Sequence, residues 1–368
     1  MEYREYRPGD ETRLNDLYNE VFDRNRTIEE WKWEYLDTPE GQSKILVVDD
    51  GGEVIAHEAM IPMRFHVFDR EFLGGKIEDA YIDRKHRGKK LFGPLTEYCL
   101  DSSEQSGYAL TFGLTGRPVN YQLHISRGFR DICSLNAHLA VLEPASAASD
   151  AARALKLSPF KRVALRSVLG ALSVWFKRKA KRYSQGTDPY PVERITRFDD
   201  RFDRLWQEFI QNRKIITIKR SSDFLNWRYI DNPYREYAVF AATDAGRIVG
   251  YLVAAVVTRE DMHLESMIGV TSDFLVLPGY EAVLSSFLRR AVDFWRSEHA
   301  DLLINWVHRE GKYSHSLAKE LKRCGFVSTF GRYDIPYFVR TLGDDIKDDA
   351  FYGVDNWHVT QAYGGAWV

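Results

Sequence analysis

Along the first 130 residues the apolar positions repeatedly change their spacing, and each change marks an element. Tyr3-Arg-Glu-Tyr6-Arg alternates as a strand, which Pro8-Gly9 ends. Asp10 can cap the helix that follows, where Leu14, Leu17, Tyr18 and Val21 fall at helical spacing. Lys44-Ile-Leu-Val-Val48 reads as a strand, Asp49-Asp-Gly-Gly52 as a turn, and positions 54–59 as the return strand of a hairpin. Positions 64–72 alternate as a third strand, and Gly74-Gly75 is expected to turn the chain into a strand over 77–82. A helix over about 91–103, a buried strand over 108–114 and a short helix over 121–126 lead to Gly128-Phe129.

The same order returns from Val192. Positions 237–241 and 247–257 predict a hairpin and 266–276 a central strand. A helix over 282–296, a strand over 301–307, a helix from Ser314 to Cys324 and a strand from Arg332 to Val339 complete it. The tail Asp355-Asn-Trp357-His-Val-Thr is apolar enough to dock as a final strand. The repetition also holds residue by residue. Trp33-Glu-Tyr35-Leu-Asp37-Thr-Pro39 returns as Trp227-Arg-Tyr229-Ile-Asp231-Asn-Pro233, at an offset of 194. That offset carries Asp50 onto Asp244, Gly52 onto Gly246, Gly75 onto Gly269 and Asp79 onto Asp273. Gly128-Phe129 then finds Gly325-Phe326 at 197. Such a register implies two copies of one α/β unit, with domains expected at 1–143 and 191–368.

Between them, 144–190 is expected to be a basic amphipathic linker. From Arg153 to Arg182 there are ten Lys and Arg and no Asp or Glu, beside Leu165, Val168, Leu169, Leu172 and Val174-Trp-Phe176. The pattern fits either a helix packing its stripe on a domain or peripheral contact with an anionic membrane face. Elsewhere, 44% apolar and 28% charged residues describe a globular chain, and a net charge of −2 gives no reason to expect nucleic acid. Three widely spaced cysteines support neither a disulfide framework nor a metal site. The charged start Met1-Glu-Tyr-Arg-Glu has no apolar core of a signal peptide, so a cytoplasmic setting is the expectation.

The segment that carries chemistry follows Ile82. Asp83-Arg-Lys-His-Arg87-Gly88-Lys89-Lys90-Leu91-Phe92-Gly93 places a basic, glycine-bearing turn between a strand and a helix N-terminus. Backbone N–H groups, the helix dipole and the cations suit a pyrophosphate. Here the sequence resembles the GNAT acyltransferase superfamily, whose acyl-CoA motif is Arg/Gln-x-x-Gly-x-Gly/Ala at a helix start. Arg87 takes the first position, while Lys90 and Phe92 stand where the glycines are usual. The resemblance implies two tandem GNAT-like domains, each a mixed, mostly antiparallel sheet flanked by helices. It also implies acetyl-CoA, or another acyl-CoA, as co-substrate, held by Ile82, Arg87, Gly88, Lys89, Lys90, Leu91 and Phe92, with no metal. In the second copy the turn becomes Glu281-Ala-Val-Leu284, a carboxylate where phosphate would lie, so that copy is expected to be degenerate.

The resemblance further implies an acid for the departing thiolate and a base for the attacking ammonium. The family's usual acid, four residues before the terminal Gly-Phe, falls on His124, with Tyr121 as its rival. Glu78 and Asp79 on the central strand are the candidate bases, on opposite faces by strand alternation, with Glu58 a further carboxylate. Asp79 recurs as Asp273, and Trp33 and Tyr35 recur as well, which points to structural roles for these; Trp31 is the remaining aromatic that could stack on a substrate. The expected activity is N-acyl transfer, most plausibly of acetyl, to a small-molecule amine or cell-envelope sugar. The alternatives are a Fem-type aminoacyl-tRNA-dependent transferase and a non-catalytic GNAT scaffold.

Overall fold

The structure is a computed structural model describing residues 1–258, 264–308, 311, 315–329, 331 and 334–364. In chain order the elements begin with β1 (Glu2–Glu5), α1 (Glu11–Phe22), α2 (Ile28–Tyr35), β2 (Lys44–Asp49), β3 (Val54–Val67) and β4 (Arg70–Ile82). Next come α3 (Phe92–Gln105), β5 (Leu110–Leu114), α4 (Pro118–Ile125), β6 (Arg130–Val141), α5 (Pro144–Ala154) and α6 (Pro159–Tyr183). Then follow β7 (Val192–Ile195), α7 (Asp200–Ile210), β8 (Ile216–Ile218), α8 (Ser222–Leu225), β9 (Tyr237–Asp244), β10 (Arg247–Val257) and β11 (Ile268–Val276). The last are α9 (Val283–Ser297), β12 (Leu302–His308), α10 (His315–Cys324), β13 (Val327–Ser328) and β14 (Ile335–Thr341). Ser314 and Arg332, where a helix and a strand were expected to begin, lie outside the described residues.

The chain forms two compact units that cut across the expected boundaries. The first holds Met1–Ile132, Lys214–Tyr234 and Tyr337–Asn356; the second holds Cys133–Arg213, Arg235–Pro336 and Trp357–Val368. Strand exchange is the reason. In the first unit β1, β2, β3, β4 and β5 lie side by side, and β14, from the far end of the chain, pairs antiparallel with β5. β6, which follows Gly128-Phe129, instead pairs antiparallel with β12 in the second unit. That unit's sheet runs β6, β12, β11, β10, β9, β7. Both sheets are antiparallel except at β4/β5 and β11/β12. The linker expected at 144–190 is part of the second unit, where α6 buries Phe176 and Ala180 in the core with Trp295, Phe287 and Phe326.

Two local expectations change. The chain reverses at Phe68, in the left-handed region at φ 61°, and Gly74-Gly75 lies inside β4, so 54–67 is one long strand. Those glycines serve packing: a Cβ on Gly74 would sit 2.7 Å from Phe65 and one on Gly75 2.3 Å from Met60. The tail docks without forming a strand. Trp357, His358 and Val359 are buried, and 3-10 turns flank them at Val354–Asn356 and Gln361–Tyr363.

The repeated tryptophans meet in the first unit. Trp33 on α2 and Trp227, in the π-helical turn Asn226–Ile230, stack with ring centroids 4.9 Å apart. Each indole N–H donates to the other's backbone carbonyl at 3.2 Å. Two large rings lose their packing together if either is removed. Trp33→Ala should therefore lower unfolding stability by about 3–5 kcal/mol, read as a fall in urea midpoint, and Trp227→Ala by a similar amount.

Candidate active site

The first unit's sheet opens at its centre. β4 and β5 pair in parallel only at Gly74/Leu110, Gly75/Thr111 and Lys76/Phe112. Beyond Lys76 the strands part, and among the described residues no strand meets that edge of β4 from Ile77 to Ile82. Opposite it, β3 pairs His57 with Tyr81 and Ala59 with Glu78, so Asp79 and Ala80 face the single residue Glu58. This is a β-bulge, with Asp79 at φ 49°. His57 holds it by donating from Nδ1 to the Asp79 carbonyl at 2.7 Å. Burial pushes the imidazole down to about 4, so it is neutral.

The basic turn lies where β4 ends. A 3-10 turn over Arg84–His86 leads to Gly88 at φ 84° and Lys90 at φ 57°. Lys90 thus adopts the left-handed conformation that the usual glycine would favour, so the lysine does not break the loop. Arg87, Gly88, Lys89 and Lys90 are exposed, Leu91 is buried in the core under α3, and Ile82 packs beside it. The first-turn N–H groups of α3 have no acceptor within the helix. Phe92, where a second glycine is usual, sets its ring at 6.4 Å from His124, edge to face.

One further cation joins this end. A Cβ on Gly93 would lie 2.6 Å from Nη2 of Arg127, so the guanidinium stands over the first turn of α3. Arg127 is held there by the Leu123 carbonyl at 2.9 Å and by Glu97 at 3.4 Å. The motif gave no reason to select it. The repeat did carry a signal: at the offset of 197 Arg127 becomes Cys324, another cation lost from the second copy.

On α4, His124 is buried between Phe129 and Phe338, at 5.1 and 5.2 Å, and its Nδ1 has no partner. Burial, then the charge of Arg127, pushes it down to about 4. Tyr121 is half-buried, and its hydroxyl donates to Asp131, which together with burial pushes the phenol up to about 12. Phe338 and Ile77 both lie against Gly113 and share one core cluster with Phe129, which places the α4 group on the Ile77 face of β4.

Glu78, one residue on, belongs to the other face. It is ion-paired with Lys76 and half-buried, and burial raises its carboxyl above the ordinary value while Lys76 opposes the rise. Asp79 was expected to face away from Glu78, but the bulge interrupts the alternation there. Both carboxylates act on the buried carboxyl of Glu34, which burial and then Asp79 push up to about 7. Asp79 itself is fixed by Arg26 at 2.9 Å and the Tyr35 hydroxyl at 2.6 Å. Glu34 accepts from Tyr234 at 2.9 Å, and the positive charge of Arg228 favours the ionised form of Glu78. Tyr234 and Arg228 were not expected here, because only the fold carries 214–234 into this unit, and Glu34 joins them through its bond to Tyr234. Trp31, Trp33 and Tyr35 are buried, which leaves none of them to stack on a substrate.

The second unit repeats the plan, but a side chain bridges its two central strands. β11 and β12 pair at Ile268/Leu302 and Gly269/Leu303, and the Asn305 carboxamide then accepts from the Thr271 N–H at 2.9 Å. Asp273 accepts from Tyr251 at 2.8 Å and from Thr360 of the docked tail at 2.7 Å. Glu281 turns back onto the Gly279 N–H at 3.2 Å. Among the described residues no group of three or more His, Cys, Asp or Glu could hold a metal ion.

Comparison with known proteins agrees with this geometry. Residues 2–129 match the family described as acetyltransferase (GNAT) domain. The whole chain shares its fold with a conserved Enterococcus faecalis V583 protein of unknown function described as a probable N-acyltransferase (TM-score 0.62, 9% identity, 93% of this chain and 72% of that one). It shares it also with a GCN5-related N-acetyltransferase from Anabaena variabilis (0.61, 12%, 93% and 73%). A third is the Saccharomyces cerevisiae N-myristoyltransferase solved with myristoyl-CoA (0.59, 12%, 97% and 85%). No curated protein matches the sequence. The family match is thus confined to residues 2–129, while over most of its length the chain shares the fold of these solved structures.

Glu58 gives this site a measurable pH signature. It is wholly buried, accepts from Thr96 at 2.8 Å, and is pushed by burial from 4.5 up to about 8. The folded chain then keeps a proton that the unfolded chain releases, so its cost is absent below pH 4.5, grows above it and is complete by about pH 8. Glu58→Gln keeps the hydrogen bond and removes that loss. The gain in Tm over the parent should be small at pH 4.5 and reach a few degrees at pH 8, equivalent to about 1 kcal/mol or more.

Proposed function

We propose that the first unit is an acyl-CoA-dependent N-acyltransferase, with acetyl-CoA as donor and the amine of a small molecule or cell-envelope sugar precursor as acceptor. The observation that carries this reading is the parting of β4 from β5 beside the basic turn of α3. A thioester arm laid in the gap would find unpaired β4 backbone along its length. Its pyrophosphate would meet the N–H groups from Gly88 to Phe92, with Arg87, Lys89, Lys90 and Arg127 as countercharge. The residues fit that group: Gly88 and Lys90 take the positive φ the loop needs, and Gly93 leaves room for Arg127.

In the reaction the amine nitrogen attacks the thioester carbonyl, a C–N bond forms, the C–S bond breaks, and two protons move. Glu78 takes the ammonium proton; its raised carboxyl brings it nearer the working pH, where a general base is most effective. Asp79, locked to Arg26 and Tyr35, holds the bulge that aims β4. Tyr121 serves the departing thiolate, because its phenol stays protonated at neutral pH. His124, buried and neutral, carries no proton that it could release near pH 7 and packs the wall behind.

Calorimetric titration of the intact protein with acetyl-CoA tests the reading. Binding should be present, should weaken at least tenfold in Arg87→Glu, and should be unchanged in Glu281→Ala; an intact protein that binds no acyl-CoA would rule the proposal out. Within it, Tyr121→Phe should lower kcat by about 10²-fold at unchanged acyl-CoA affinity, while His124→Phe should keep most of the turnover. The opposite order returns the acid role to His124.

A further inference from the structure

Helix α6 has two apolar faces, and among the described residues only the inner one is packed. Its inner face is explained: Ser173 donates to the Leu142 carbonyl at 2.9 Å, Phe176 and Ala180 enter the core of the second unit, and Tyr183 donates to Glu320 at 2.8 Å. No residue from Pro159 to Leu172 is fully buried. The outer face carries Phe160, Val163, Val168, Val174 and Trp175, from 50% to 84% exposed. At 100° per residue these five project within an arc of roughly 140°, opposite Phe176 and Ala180. Val168, Val174 and Trp175 thus leave the stripe they were expected to share with Phe176.

Charge brackets the apolar face. Lys161, Arg162 and Arg166 lie at one end and Lys177 to Arg182 at the other, while the ten positions 167–176 carry no charge. Arg153 and Lys177 are paired, with Glu265 and Glu143. Among the described residues Lys156, Lys161, Arg166, Arg178, Lys181 and Arg182 form no ion pair. The Lys179 ammonium lies 4.9 Å from the Trp175 ring centre, which sets a cation beside the aromatic edge. No described helix is long and apolar enough to cross a membrane, so any membrane contact of the described helices would be along a surface.

We infer that α6 docks this protein on an anionic lipid surface, lying flat with Phe160, Val163, Val168 and Trp175 entering the headgroup–acyl boundary and the flanking cations on lipid phosphates. The occupant is a bilayer because the face combines exposed apolar side chains with unpaired cations. Lipid offers both matching layers at the spacing of a single helix diameter. The inference is independent of the acyl transfer proposed above.

Flotation of the full chain with vesicles decides it. Vesicles of 30% phosphatidylglycerol in phosphatidylcholine should carry the protein at low salt, pure phosphatidylcholine at least tenfold less, and 1 M salt should release the cations' share of binding. Phe160→Ser/Val168→Ser/Trp175→Ser and, separately, Lys161→Glu/Arg162→Glu/Arg166→Glu should each reduce binding at least tenfold. These positions are exposed, so unchanged melting curves should certify both variants as folded. Protein that stays in the bottom fraction with anionic vesicles overturns the inference, as does unchanged binding in the apolar triple variant. A concentration-dependent dimer by light scattering that the apolar variant abolishes would assign the face to a second copy of the chain and overturn it too.

Discussion

Two adjacent strands can part within a sheet only if each is held firmly on its other side. In the first unit β3 holds β4 along its length, and β14 holds β5 at every residue from Leu110 to Leu114. The central opening follows from that pairing. It is also why the first copy is not a self-contained module, since its β5 depends on a strand some 200 residues away in sequence. Gly113 shows how closely that strand is fitted, because a Cβ there would strike Phe338 at 2.6 Å. Edge strands in a half-open sheet would otherwise leave a row of unpaired backbone groups on both sides of β5.

The same plan in the second unit carries different side chains at the corresponding places. Asn305 takes the first free N–H of β11, Thr360 takes a carboxylate oxygen of Asp273, and Glu281 occupies the start of α9. The corresponding places in the first unit hold unpaired β4 backbone, an Asp79 bonded to Arg26 and Tyr35, and the basic turn Arg87-Gly-Lys-Lys90. The exchange of β6 and β14 makes each unit's sheet depend on the other copy's strand.

The repeat made most of this legible in the sequence, since positions that recur describe the frame and positions that differ describe the site. The contrast between the basic turn and Glu281-Ala-Val-Leu284 could be read that way, and so could the core position of Trp33. What could not be read was anything set by non-local pairing. Strand exchange leaves no trace in periodicity, so the expected domain boundaries at 143 and 191 followed chain order. The turn at Gly74-Gly75 was misplaced because glycine signals a reversal locally and a close approach only in three dimensions. The alternation of Glu78 and Asp79 failed for the same reason, because a bulge is an agreement between two strands.

The cluster around that bulge shows how the second copy still bears on the site. Arg26, Glu34, Asp79, Tyr35 and Tyr81 bury several charges together, an arrangement that costs desolvation and is retained only when each charge is matched. Arg26 supplies the match, yet burial still pushes the Glu34 carboxyl up to about 7. In the second copy the residue after the shared tryptophan is Arg228 instead of Glu34. Because the stacked pair Trp33/Trp227 places both neighbours in the first unit, that one reversal of sign brings a positive charge near Glu78. The repeat thus sets the charge of Arg228 to act on the Glu78 carboxylate that already pairs with Lys76, without adding an element to the fold.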